Sequence, residues 1–237
     1  MIRLSLFLFI TAIDTTICAF TAMLGGIINP YSRFNTSVTR IWARIILLTA
    51  GIKLHIEGAE HLQPGESYVV VSNHQSLMDI PVLIWGLPVS LRIIAKQELF
   101  KIPVFGWGMK GVGMLQIDRS NQKKSFETLK KAEKIIRSHQ LSILAFPEGT
   151  RSEDGKIHPF KKGPFILALN TGLSLLPVSV SGTRQTIPKG KIQINPGRVQ
   201  IKIHPPIPVK GVEMAQRNEL VGQAQKVIEE GFIEGYS

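Results

Sequence analysis

Beyond residue 50 the chain alternates short apolar runs with longer amphipathic ones, and few architectures accommodate that alternation. Residues 52–57, 68–72, 92–95, 114–117, 141–146, 175–181 and 199–203 read as strands. Residues 79–85, 125–139, 163–170 and 213–230 read as helices. Several strand runs, such as Tyr68-Val-Val-Val-Ser72, are short and apolar. The pattern predicts an α/β fold with a mixed, largely parallel sheet flanked by helices.

The first 50 residues are different. From residue 2 to 28 the only charges are Arg3 and Asp14. A helix of that length reaches roughly 40 Å, more than the ~30 Å of a hydrocarbon core. The apolar stretch is too long for a signal peptide and no clear cleavage site follows. A charge near its centre, Asp14, is costly in lipid. A second apolar segment, residues 36–50, carries Arg40, Trp42 and Arg44, the composition of an interfacial anchor. The expectation is two antiparallel helices (residues 1–50) that dip into one leaflet, followed by an α/β domain (residues 51–237).

The net charge of +11 favours an anionic partner. No acidic residue stands between Asp154 and Glu213, whereas Lys156, Lys161, Lys162, Arg184, Lys189, Lys191, Arg198, Lys202 and Lys210 do, so a basic face is expected. Nucleic acid is not the expected partner: aromatics make up only 7% of residues and the apolar N-terminus would serve no purpose there. The single cysteine, Cys18, allows no internal disulfide, which suits a reducing compartment.

Three of the strand runs end in polar clusters. The first is Asn73-His74-Gln75-Ser76-Leu77-Met78-Asp79. On one continuous helix His74 and Asp79 would point about 140° apart and could not pair. With His74 in a turn and Asp79 in the first turn of the next helix, the carboxylate can orient the imidazole and leave its second nitrogen free as a base. The second cluster is Pro147-Glu148-Gly149-Thr150-Arg151-Ser152, where Gly149 permits a tight turn and Arg151 offers a fork suited to phosphate. The third is Asp118-Arg119. If the strands are parallel, all three clusters meet at one rim, where ligands bind in open α/β sheets.

The order of these blocks resembles the 1-acyl-sn-glycerol-3-phosphate acyltransferase (PlsC) family. Asn73-His-x-x-x-x-Asp79, Gly113-Met-Leu-Gln-Ile-Asp118-Arg119, Phe146-Pro-Glu-Gly-Thr-Arg-Ser152 and Leu176-Pro177-Val178 look like its successive motifs, with Lys96-Gln-Glu98-Leu99 preceding the second. The resemblance implies His74 as general base, oriented by Asp79, on the sn-2 hydroxyl of lysophosphatidic acid. It implies Arg119 and Arg151, with Lys96, on the acceptor's phosphate, Glu148 and Gly149 shaping that pocket, and Thr150 near the phosphate oxygens. The co-substrate would be acyl-CoA or acyl carrier protein, with no metal or other cofactor, and the product phosphatidic acid in phospholipid synthesis. The site would face the cytoplasm at a membrane. Three alternatives remain: a related acyltransferase using glycerol-3-phosphate or another lysolipid, a non-catalytic anionic-lipid-binding module, and a metal-dependent phosphohydrolase using His74, Asp79 and Glu148 as ligands.

Overall fold

The structure, a computed structural model, describes residues 2–117, 122–139, 141–188, 190 and 193–237. Two helices come first, α1 (Ile2–Ile28) and α2 (Arg33–Ala50). Ser32 caps α2 by accepting the Asn35 N–H, and Gly51, at φ 72°, ends it in the left-handed region. There follow β1 (Ile52–Glu57), β2 (Val69–Ser72), α3 (Asp79–Gly86), β3 (Leu91–Lys96), α4 (Phe105–Gly111), β4 (Leu115–Ile117), α5 (Gln122–His139), β5 (Ser142–Ala145), α6 (Gly163–Thr171), β6 (Leu175–Ser181), the single turn α7 (Thr183–Thr186), β7 (Gly197–Ile203) and α8 (Arg217–Gly231).

The seven strands form one sheet in the order β1-β7-β6-β2-β5-β3-β4. From β6 to β4 every neighbouring pair is parallel. β7 runs antiparallel to β6 and parallel to β1, so the sheet is mixed, as expected. The short apolar runs are explained by burial: β2, β5 and β6 are buried along their whole length. Val70, Leu144 and Leu176 face a core shared with α2 and α3, while Val69, Val71, Ile143 and Leu175 face one shared with α5, α6 and α8.

Among the described residues α1 is the one helix long and apolar enough to cross a bilayer, by length and composition. Its Phe7, Ala19 and Ala22 are buried, and Leu6, Phe9, Ile13, Ile17, Phe20 and Leu24 are exposed. In α2, Ala43, Ile46, Leu47 and Ala50 belong to the main core. The basic residues of α2 are not simply an interfacial fringe. Arg40 donates to the carbonyls of Ile84 (3.1 Å), Trp85 (3.0 Å) and Leu87 (2.6 Å), capping the C-terminal end of α3, and its guanidinium lies 5.3 Å from the Trp85 ring centre. Trp42 Nε1 donates to Thr15 Oγ1 of α1.

Helix α4 was not legible because its glycines mask helical character. They are there for contact. A Cβ on Gly108 would lie 2.9 Å from Ala19 of α1, and one on Gly111 would lie 2.6 Å from the Ala22 carbonyl oxygen. The absence of side chains lets α1 and α4 touch backbone to backbone.

On the other face α8 is fastened through Ser179, which donates to the Ile228 carbonyl (2.8 Å). That uses its only proton, so the 2.8 Å contact to His204 Nε2 requires a hydrogen on the ring nitrogen. Burial, then the charges of Lys202 and His61, push the His204 pKa down from 6.5 to about 4. The neutral ring is the one the fold accommodates. Its contribution is complete above the unfolded value and is lost as pH falls from 6.5 towards 4. Melting temperature should therefore drop across that window by several degrees more in the wild type than in His204→Gln, as read by thermal unfolding at a series of pH values.

Candidate active site

The five parallel strands place their carboxyl ends on one rim. Asn73 finishes β2: its amide oxygen accepts the Val180 N–H (2.8 Å) and its Nδ2 donates to the Val180 carbonyl (2.9 Å), extending the β2–β6 pairing through a side chain. The chain then leaves the sheet at His74. Its N–H donates to Glu148 Oε1 (2.7 Å) and its carbonyl accepts the Ser152 N–H (2.8 Å), so the loops after β2 and β5 hold each other.

Asp79 opens α3 and is fully buried. Its Oδ2 lies 2.7 Å from His74 Nδ1 and also accepts the N–H groups of Gln75 (2.7 Å) and Ser76 (2.9 Å). Its Oδ1 accepts the hydroxyl of Thr183, from the turn after β6. Four donors thus converge on one carboxylate and fix its orientation. The imidazole is stacked on Phe146, with ring centres 3.9 Å apart and 13° between planes. His74 therefore has a fixed plane, an Nδ1 committed to a carboxylate, and an Nε2 with no hydrogen-bond partner among the described residues. That is the arrangement of a general base.

The other anticipated residues fall as follows. Glu148 is buried, and its oxygens accept the backbone N–H groups of His74 and of His158 (3.1 Å). Burial raises its pKa, and those two amides oppose the rise. Both carboxylates thus turn their oxygens to N–H and O–H donors, and among the described residues no group of His, Cys, Asp or Glu side chains comes together as the phosphohydrolase alternative requires. Gly149 takes φ 81°, and a Cβ there would stand 2.7 Å from Lys161 Nζ. Thr150 is exposed and Arg151 half-buried beyond that turn. Lys96, at the end of β3, is ion-paired with Glu98 at 3.4 Å. Arg119 lies outside the described residues, although β4, which leads to it, ends on the same rim. Sequence reasoning missed Thr183, whose turn carries no local signal of its tie to Asp79.

Behind the rim an apolar cavity of about 100 Å³ lies among α1, α2, α3 and α4, lined by residues that include Cys18, Ala22, Trp42, Ile84, Met109 and Met114.

A profile of the Acyltransferase family matches residues 53–181, which spans every one of these rim residues up to Val180. This chain belongs to the Acyltransferase family. Its similarity to family members extends well beyond the profile. It is 37% identical over 182 residues to a chloroplastic 1-acyl-sn-glycerol-3-phosphate acyltransferase of Arabidopsis thaliana, covering 76% of this chain and 50% of that one. It is 32% identical to the 1-acyl-sn-glycerol-3-phosphate acyltransferase of Cocos nucifera over 90% of this chain and 69% of that one. The chain spans about half the length of the plant relatives with 37% identity. Among solved structures it is similar to the 1-acyl-sn-glycerophosphate acyltransferase PlsC of Thermotoga maritima, with TM-score 0.83 and 29% identity over 97% of this chain and 93% of that one. That correspondence includes the two N-terminal helices as well as the sheet, because so little of either acyltransferase chain is left out.

Proposed function

We propose that the protein moves a fatty acyl group from a thioester, acyl-CoA or acyl carrier protein, to the sn-2 hydroxyl of 1-acyl-sn-glycerol-3-phosphate, giving phosphatidic acid. The observation that carries this reading is the His74–Asp79 pair, whose Nε2 has no hydrogen-bond partner among the described residues, on the rim where the Arg151 turn and Lys96 also stand. In this reading Nε2 takes the proton of the acceptor hydroxyl. The oxygen attacks the thioester carbonyl, the tetrahedral intermediate expels the thiolate, and the imidazolium returns the proton to sulfur. Asp79 offsets the charge that His74 acquires.

Arg151 and Lys96, with Arg119, hold the acceptor's phosphate. Glu148 acts indirectly, by fixing the His74 backbone. The apolar cavity takes acyl methylenes, and the exposed apolar face of α1 rests in the cytoplasmic leaflet that supplies the lysolipid.

The test is acyl transfer by purified protein from labelled acyl-CoA and acyl carrier protein to a panel of lysophosphatidic acid, glycerol-3-phosphate and other lysolipids. Turnover of another acceptor, with none of lysophosphatidic acid, overturns the substrate assignment. Arg151→Ala should raise the acceptor KM about 10- to 100-fold, the usual effect of losing a hydrogen bond to a charged group, with kcat largely retained. An unchanged acceptor KM removes Arg151 from the phosphate site.

A further inference from the structure

A second, smaller pocket, of about 30 Å³, opens on the rim on the β6 side of His74. Its wall includes Gln75, Gly155, Arg184, Phe232, Ile233 and Glu234. Gln75 follows the proposed base directly and is 2% exposed. Its Nε2 donates to the Lys156 carbonyl (3.4 Å), which sets the orientation of the amide, and its Oε1 is buried with no partner among the described residues. A buried acceptor left without a donor costs free energy unless a ligand supplies the hydrogen.

Beside it Arg184 is pinned by one bond, from Nη2 to the Glu153 carbonyl (2.7 Å). The guanidinium fits only because Gly155 has no side chain: a Cβ there would fall 1.7 Å from Nη1. The segment carrying Phe232, Ile233 and Glu234 is tied to the end of β6 by the Ile233 N–H, which donates to Ser181 Oγ (3.0 Å).

The pocket thus offers an acceptor, a donor fork, a carboxylate and two apolar side chains. A bare phosphate is a poor match, because Glu234 opposes it. A neutral chain that alternates amide N–H, carbonyl and methylene groups matches each element.

We propose that this pocket seats one amide of the pantetheine arm of the acyl donor, the rest of the arm running outside it along the rim, with Gln75 Oε1 accepting the amide N–H and Arg184 donating to an amide carbonyl. The assignment rests on the thioester reading above. It places the donor's arm on the β6 side of His74 and the acceptor's phosphate on the β5–β3 side, so the thioester carbonyl and the hydroxyl meet at Nε2 from opposite directions. Coenzyme A and the prosthetic group of acyl carrier protein share this arm.

Two measurements test it on the full chain. In calorimetric titration, free pantetheine should bind the wild type and bind Gln75→Leu and Arg184→Gln about tenfold more weakly. In acyl transfer, Arg184→Gln should raise KM about tenfold for S-acyl pantetheine and leave it unchanged for S-acyl ethanethiol, which has no amide, with the acceptor KM unmoved. Competition by coenzyme A and by holo-acyl carrier protein identifies the natural source of the arm.

Absence of pantetheine binding, equal KM changes for both donors, or a rise in the acceptor KM overturns the proposal. Pantetheine binding that depends on Gln75 and Arg184, in a protein that transfers no acyl group, supports the pocket and overturns the reaction instead. Arg184→Gln stands on a half-exposed side chain and keeps the test decisive if Gln75→Leu fails to fold.

Discussion

His74→Ala should lower kcat by about 10²- to 10⁴-fold, the usual contribution of a positioned general base, while circular dichroism and melting temperature stay close to wild type. The side chain can be removed without disturbing the loop, because the loop is held by the backbone of residue 74: its N–H on Glu148 and its carbonyl on Ser152. The ring itself contributes one bond to Asp79 and a stack on Phe146. A variant that folds and keeps its rate would end the general-base assignment, whereas a lipid-binding module would not respond at all. Vesicle binding by His74→Ala, measured by co-sedimentation, should match the wild type.

Asp79→Asn should cost roughly 10²- to 10⁴-fold in kcat for a different reason. Asparagine keeps the shape but carries one acceptor oxygen where aspartate has two. Oδ2 receives three N–H donors and Oδ1 a hydroxyl, so the amide NH2 must face a donor whichever way it turns. If it points at His74, the wrong ring nitrogen is left protonated; if it points at Thr183, the imidazolium still loses its counter-charge. Because both residues act on one proton transfer, the double variant His74→Ala/Asp79→Asn should be no slower than His74→Ala alone. Additive losses measured under saturating substrates would show that Asp79 acts on some other step.

The parts of this site that could be read in advance were local. The distance of five residues from His74 to Asp79 ruled out a continuous helix and called for a turn followed by a helix start, and α3 begins at Asp79. The rim followed from three polar clusters that each come directly after a short apolar strand, once those strands are parallel. What escaped notice depends on distant partners. Thr183 reaches Asp79 across 104 positions with nothing in its own neighbourhood to announce it. Arg40 sits among apolar and aromatic residues, so composition assigns it to a bilayer surface, yet its donors go to carbonyls more than forty residues away. Helix α4 was hidden because glycine lowers helix propensity, and only the surface of α1 explains why it is chosen there.

The grip of Arg40 on α3 bears on how this protein can be handled. Asp79 stands at the start of that short helix and the guanidinium at its finish, so the apolar leader reaches, through eight residues, the group that steers the base. Trimming the greasy first fifty residues to obtain a water-friendly fragment would strip the finish of α3 of its cap and bare Ile84 and the core beneath α2. Preparations that retain both leading helices, in detergent or nanodiscs, are therefore the ones in which kinetic constants will have meaning.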